Sequence, residues 1–491
     1  MKKDKPFIHL FKTPGGHYIY DVNTNAIIKT QKSIYDFLQG GQRSCVNNEA
    51  CFESNDNNDT INAVKKIKEK GFLSSKRIKE VSHPANDILE YHLANKLKMI
   101  ILQVTQQCNL RCEYCAYSGN YLNRGHANLR MNLETAQKSI GFLIDNSRDV
   151  DRVNIAFYGG EPLLEFELIK NCIHYAKEIS EGKKVTFSLT TNGTVFTKEI
   201  IEFFEMHDAT ITISLDGPKE INDKNRRFAV SGCGTFESIN KNLEFFKDGY
   251  PEYFKKVVFN VVLDRNNNFN CVNEFFTTYD IIKDSMINAS GISTHYAKVE
   301  SKSSEEYDIN IKYELFKLYL NKVNRLDEKY VSKLVTSNYE MLRMKIFKER
   351  ERTEELSEKA HHGGPCVPGA QRLFVDVNGN FYPCEKVSEN SEVMRIGHID
   401  TGFNIEKVRN LLNVGRITKE SCLDCWAFRF CTLCAAMADD TKGLSPAVKL
   451  SNCNAVRASQ EQNFKDYCTL NEFGHNFENN YGYILMGGFD E

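Results

Sequence analysis

Neither sign of charge is in excess in this chain: 63 Lys and Arg stand against 65 Asp and Glu, a net charge of −2. That balance removes the electrostatic case for nucleic acid or a membrane surface as a partner. Long hydrophobic runs are missing too. No segment approaches the apolar length that crosses a bilayer, and the start, M-K-K-D-K-P-F-I-H-L-F-K, lacks the apolar stretch of a signal peptide. A cytoplasmic protein with no nucleic acid and no membrane partner is expected. Internal repeats and low-complexity tracts are also lacking. At 491 residues the chain exceeds one compact core, so two or three domains are expected.

What the chain does have is cysteine, 16 in all. In a reducing compartment these are not a disulfide framework and point to metal or redox chemistry. Three, Cys108, Cys112 and Cys115, fall in the run C-N-L-R-C-E-Y-C, and eight lie between Cys366 and Cys468. Three thiolates on a four-iron cluster leave one iron without a protein ligand, free to bind a small molecule. A zinc site or chance clustering is the plainer alternative. Cys172, Cys233 and Cys271 stand alone and read as inert, while Cys45 and Cys51 sit in a polar loop.

Residues 6–39 read as three strands, F-I-H-L-F-K, H-Y-I-Y-D and A-I-I-K, separated by P-G-G and N-T-N turns. With the helical S-I-Y-D-F-L and T-I-N-A-V-K-K-I-K-E-K-G-F they describe a small winged-helix-like module over residues 1–85. Pro84 and a charged helix read as a linker. From Met99 strands alternate with helices: M-I-I-L-Q-V-T, V-N-I-A-F-Y, V-T-F-S-L-T-T, T-I-T-I-S-L and V-V-F-N-V-V-L. Such repetition implies a parallel sheet, with chemistry gathered at the C-terminal ends of its strands. The cysteine triplet lies at that end of the first strand. Residues 301–360 read as a charged helical bridge. The cysteine-rich region beyond has little regular apolar patterning and is expected to need metal to hold it together.

Polar groups follow each later strand. Tyr158 to Pro162 spell Y-G-G-E-P, where Gly159 and Gly160 allow close backbone approach and Glu161 offers a carboxylate to an ammonium group. T-T-N-G ends in Asn192 and Gly193, Ser214 and Asp216 lie in S-L-D-G-P, and Arg226 lies 12 residues beyond Ser214. Each alone reads as a turn cap. Together, in order at successive strand ends, they read as a ligand site.

C-N-L-R-C-E-Y-C, Y-G-G-E-P and S-L-D-G-P resemble the radical S-adenosylmethionine enzymes over residues 98–300. The resemblance implies a partial (β/α)6 TIM-like barrel. Cys108, Cys112 and Cys115 would hold a 4Fe–4S cluster whose open iron chelates S-adenosylmethionine, giving a 5′-deoxyadenosyl radical. It implies Tyr114 near the adenine and Glu161 on the methionine amino group. Gly159 and Gly160 shape the turn, and Asn192, Ser214, Asp216 and Arg226 are candidates for ribose and carboxylate contacts.

The later cysteines resemble the SPASM extension, here residues 361–470, followed by a tail over 471–491. Gly379 and Cys384 form its G-x4-C element, and Cys422, Cys425, Cys431 and Cys434 are spaced two, five and two. The last spacing is three in the family. A zinc ribbon is the alternative, although its cysteine pairs usually stand farther apart. By this resemblance one auxiliary 4Fe–4S cluster takes Cys422, Cys425, Cys431 and Cys453, making three clusters in all. The other takes Cys366, Cys384 and Cys434, only three thiolates, with Cys468 and His362 as off-pattern candidates for a fourth ligand. An open iron there suits a substrate thiolate.

The N-terminal module resembles leader-peptide recognition elements, which accept a peptide strand on their sheet; a structural cap is the alternative. The combination looks closest to thioether-forming ranthipeptide maturases. It implies an oxidoreductase acting on a precursor peptide with a leader and a cysteine-containing core, with an acidic residue's β-carbon as acceptor. A flavodoxin or ferredoxin-type reductant supplies electrons, and one electron returns to an auxiliary cluster. Competing readings are carbon–carbon crosslinking, sulfatase formylglycine maturation and a non-enzymatic Fe–S scaffold.

Overall fold

The computed structural model describes residues 5–43, 55–180, 182–298, 304–350, 355–362, 366–477 and 484–485. Cys45 and Cys51 lie outside them.

The N-terminal strands are β1 (Ile8–Thr13), β2 (Gly16–Asp21) and β3 (Ala26–Thr30), an antiparallel meander. Strand periodicity puts alternate side chains on opposite faces. Ile8, Ile19 and Ile28 face one way, against Ile34 and Leu38 of the helix Lys32–Arg43 and Val64 and Ile67 of Asn55–Glu69. That second helix begins within the stretch read as a polar loop. Phe11, Tyr18 and Tyr20 face the other way, into the main core.

The stretch read as a linker is packed in. Leu89, Leu93 and Leu97 are buried, and β4 (Glu80–Val81) pairs with β11 (Lys359–Ala360). The central sheet then runs through β5 (Met99–Thr105), β6 (Arg152–Gly159), β7 (Lys184–Thr191), β8 (Thr210–Ser214), β9 (Val258–Leu263) and β10 (Met286–Gly291), all parallel and adjacent in sequence order. This is an open α/β sheet of six parallel strands. Asn132, Thr197 and Asn268 cap helices that follow β5, β7 and β9, each side chain accepting a bond from a first-turn N–H.

The C-terminal region is not a separate layer. Its strands β12 (Leu373–Val375), β13 (Asn380–Tyr382), β14 (Gly397–His398) and β15 (Gly402–Phe403) continue the same sheet outward from β5. β12 lies parallel to β5, pairing Leu373 with Ile100 and Val375 with Leu102. Strands of two or three residues carry too little alternation to be legible in sequence. The same region holds a 20-residue helix, Cys453–Glu472, so metal is not its only source of order. Phe464 of that helix packs against Phe11, Tyr20, Trp426 and Phe430, docking the N-terminal sheet. Glu472 at its end accepts from Thr13 Oγ1 and the Tyr18 hydroxyl, both at 2.5 Å. Finally β16 (Ile484–Leu485) adds to the free edge of β3, parallel to it. Among the described residues no helix is long and apolar enough to cross a membrane.

Candidate functional site

The loop after β5 carries Cys108, Cys112 and Cys115, and two backbone contacts place it. Gly160 N donates to Thr105 O at 2.9 Å and Glu161 N to Gln107 O at 3.0 Å. These bonds bring the end of β6 against the end of β5. A Cβ on Gly159 would stand 2.0 Å from Thr105 O, and one on Gly160 2.1 Å from Gln107 O. Only glycine fits both positions. On its other side the loop pairs with the segment after β8: Arg111 N donates to Arg227 O at 2.8 Å and Glu113 N to Asn225 O at 3.1 Å.

The three thiols lie close enough to act on one another electrostatically. Burial pushes Cys108 up to about 12 and Cys112 up to about 11, the latter against the pull of the Arg226 guanidinium. Leu110 N–H points at Cys108 Sγ (3.3 Å) and Tyr117 N–H at Cys115 Sγ (3.5 Å). Buried thiols of this kind stay protonated until a metal converts them to thiolates. Three neighbouring thiols with N–H donors to sulfur and a cation at hand fit the chemistry of a 4Fe–4S cluster.

The other sequence-selected residues ring this loop. Glu161 is fully buried, accepting from Thr191 Oγ1 (2.8 Å), Asn192 N (2.7 Å) and Leu163 N (3.1 Å). A carboxylate offers about four acceptor positions, so the protein takes most of them. Asn192 Nδ2 donates to Asn109 Oδ1 at 2.8 Å and lies 3.9 Å from Cys108 Sγ. Asp216 accepts from Val262 N at 3.1 Å and from the Tyr114 hydroxyl, which in turn accepts from Arg226 Nη1 at 2.9 Å. Arg226 Nε is buried with no protein partner. Ser214 closes β8 half-buried, beside Asn260 of β9. The structure therefore brings Tyr114, Glu161, Asn192, Asp216 and Arg226 around one loop.

Sequence reasoning missed a buried network beside them. Arg124 Nη1 pairs with Glu389 at 3.1 Å, and Gln103 and Gln106 donate to the same carboxylate at 2.7 and 3.1 Å. It joins the cysteine loop to the segment after Cys384. Its one sequence signal is Gln103, a polar side chain inside the apolar strand M-I-I-L-Q-V-T.

The C-terminal cysteines form two groups. Cys366, Cys384 and Cys434 influence one another, with Arg372 and Glu385 beside them, paired at 2.9 Å. Cys434 also lies near Tyr296, in the loop after β10. Cys422, Cys425 and Cys431 form the second group, and Cys453 Sγ stands 3.9 Å from the carbonyl of Lys449, whose ammonium is 3.9 Å from Cys422 Sγ. Neither off-pattern candidate joins the first group. Cys468 is fully buried near Arg350, Glu472 and Lys29, and His362 stands beside Cys431. Among the described residues no three His, Cys, Asp or Glu side chains form a group that could hold a single metal ion. Cys172 is buried, and Cys233 and Cys271 are exposed, apart from both groups.

Residues 102–278 match the Radical SAM superfamily. The radical SAM cyclopropyl synthase TigE of Paramaledivibacter caminithermalis is 25% identical over 225 residues, 43% of this chain and 46% of that protein. A cysteine-type anaerobic sulfatase-maturating enzyme of Clostridium novyi is 31% identical over 159 residues, 32% and 42% of the two chains. The chain thus spans about half the length of these curated relatives. Among solved structures, anSMEcpe with bound AdoMet and Cp18Cys peptide superposes with a TM-score of 0.56 at 21% identity, covering 77% of this chain and 98% of that one, a likeness of fold. Members of this superfamily require a 4Fe–4S cluster and S-adenosylmethionine, and the C-terminal cysteines are consistent with further clusters. Through residues 102–278 the chain is thus similar to the Radical SAM superfamily, and over part of its length to a cyclopropyl synthase and a sulfatase-maturating enzyme.

Proposed function

We propose that this protein matures a ribosomally synthesised peptide by closing thioether bonds between cysteine sulfur and a carbon of an acceptor residue, an acidic residue's β-carbon by family resemblance. The observation that carries this reading is the trio Cys366, Cys384 and Cys434, near enough to influence one another, with the remaining C-terminal cysteines grouped or buried elsewhere. Three thiols leave room for a fourth, and soft thiolate suits such a site. In this reading residues 98–300 are the catalytic core, 301–360 a bridge, 361–470 the auxiliary region and 471–491 a tail. Residues 1–85 receive the leader.

When bound, the cluster at Cys108, Cys112 and Cys115 and S-adenosylmethionine supply a 5′-deoxyadenosyl radical. Arg226 offers its unpartnered Nε to a carboxylate, and Glu161 holds the Gly159–Gly160 turn while leaving about one acceptor position for an ammonium group. Tyr114 presents its ring at a position fixed by Asp216 and Arg226, and Ser214 and Asn192 line the strand ends. Closing one thioether breaks one C–H and one S–H bond and forms one C–S bond. The carbon's hydrogen leaves as an atom, the thiol proton goes to solvent and one further electron leaves the substrate. A leader strand adding at β3 would displace β16, which pairs there already.

The test is anaerobic reaction of a cysteine-containing precursor with S-adenosylmethionine and a flavodoxin or ferredoxin-type reductant, read by mass spectrometry. Loss of two hydrogens per crosslink, with one thiol lost to alkylation each time, is expected. A mass change with every thiol still alkylated overturns the reading.

A further inference from the structure

The two C-terminal thiol groups differ in the charge around them. Lys449, on the helix Pro446–Ser451, is only 1% exposed in the buried wall beside Cys422. Its ammonium donates to Thr418 Oγ1 at 2.8 Å and lies 3.9 Å from Cys422 Sγ. The Thr418 hydroxyl is itself 3.3 Å from the same sulfur. Among the described residues Lys449 forms no ion pair with a carboxylate. A buried ammonium without a counter-ion is unfavourable, so a partner of opposite charge is called for. The groups this structure sets before it are the Cys422 and Cys431 thiols, which become anionic when a metal converts them to thiolates.

Two further groups stand near this site. Arg457 stands against Cys425. His362, 2% exposed, has both ring nitrogens buried with no protein partner, beside Lys449 and the Cys431 backbone. Around Cys366 and Cys384 the balance is different. Arg372 Nη1 bonds both oxygens of Glu385, at 2.9 and 3.0 Å, so that pair cancels its own charge.

We infer that Lys449, supported by Thr418 and Arg457, is the counter-ion of a cluster held at Cys422, Cys425, Cys431 and Cys453, and sets its reduction potential above that of the cluster at Cys366, Cys384 and Cys434. Net charge and hydrogen bonds to sulfur are the levers by which a protein tunes such clusters. Cations and hydroxyl donors stabilise the more negative, reduced state. The consequence is a downhill direction for an electron, from the group near Tyr296 and the strand ends toward the group walled by Lys449. Lys449 is in this sense a positioning residue for charge and touches no substrate. The inference rests on the auxiliary-cluster assignment of the proposed function.

Redox titration followed by electron paramagnetic resonance tests it, using full-length protein with Cys108, Cys112 and Cys115 replaced by alanine so that only auxiliary clusters report. Two waves are expected. K449M should shift the higher one toward reduction at lower potential by at least tenfold in the one-electron equilibrium, about 59 mV, and leave the lower one in place. K449R should keep the wild-type value, and T418V should shift the same wave by less than K449M. Iron content is read on every sample. Iron too low for two clusters in the parent protein would defeat the cluster assignment itself. An iron-loaded K449M whose higher wave does not move overturns the inference, as does an equal shift in K449R. If K449M loses iron, T418V and R457Q carry the same test: a fall in the higher wave supports the inference and unmoved waves overturn it.

Discussion

Glu161 shows how much one side chain in this site is asked to do. It is fully buried, and its oxygens collect donors from two strands' ends, fixing the turn on which the cysteine loop rests. Burial raises its carboxyl above the ordinary 4.5, in spite of the Asn192 and Leu163 N–H groups and the Thr191 hydroxyl that pull it down. The folded state therefore holds the Glu161 proton more tightly than the unfolded chain does. The stability this contributes is present in full below 4.5 and is lost as pH rises through the raised folded value. Glu161→Gln has no proton to lose. The stability of the wild type relative to this variant should fall as pH rises from 4.5 toward neutrality, measured as urea midpoints along that range. A difference that stays flat or grows contradicts the assignment. Glu161, Arg226 and Asp216 were legible as strand-end polar groups because their neighbours form short, recognisable turns. Lys449, Glu389 and Arg124 were not, because their meaning lies in partners far away in the chain.

Among the elements, the helix Cys453–Glu472 links regions that the sequence presents as unrelated. It begins with a candidate cluster cysteine, buries Phe464 against the N-terminal sheet and ends with Glu472 holding Thr13 and Tyr18. Deleting the N-terminal module would expose Phe464 and disturb the setting of Cys453 along with any leader binding. Phe464→Ala is the more selective probe. Removing a fully buried phenylalanine costs about 3–5 kcal/mol, and the variant should also retain less iron per chain, read by urea denaturation and iron analysis. An unchanged midpoint contradicts the docking role. The three N-terminal strands were readable because they alternate cleanly between turn signals. The strands β12 to β15 were not, since each is two or three residues long and gains its order from pairing onto β5.

At the scale of the whole molecule, that same sheet is what puts the auxiliary region next to the cysteine loop. β12 runs beside β5, so Cys366 before it and Cys384 after β13 are carried on the edge of the sheet whose first strand ends at the triplet. The Arg124–Glu389 pair then ties the loop after Cys384 to the loop after Cys115. Alternating strands and helices made the parallel sheet legible, and cysteine spacing made the groups legible. Their continuity in a single ten-stranded sheet was not, because it depends on which edge of β5 stays free. In the proposed reaction the three thiols at Cys366, Cys384 and Cys434 leave a place for the substrate's sulfur. The most direct measurement is the electron paramagnetic resonance spectrum of protein lacking only the Cys108, Cys112 and Cys115 thiols, reduced, with and without precursor peptide. A precursor bearing its cysteines should alter the signal of one auxiliary cluster, and the same peptide with serine in their place should not. A spectrum that responds to both peptides alike, or to neither, would contradict the account.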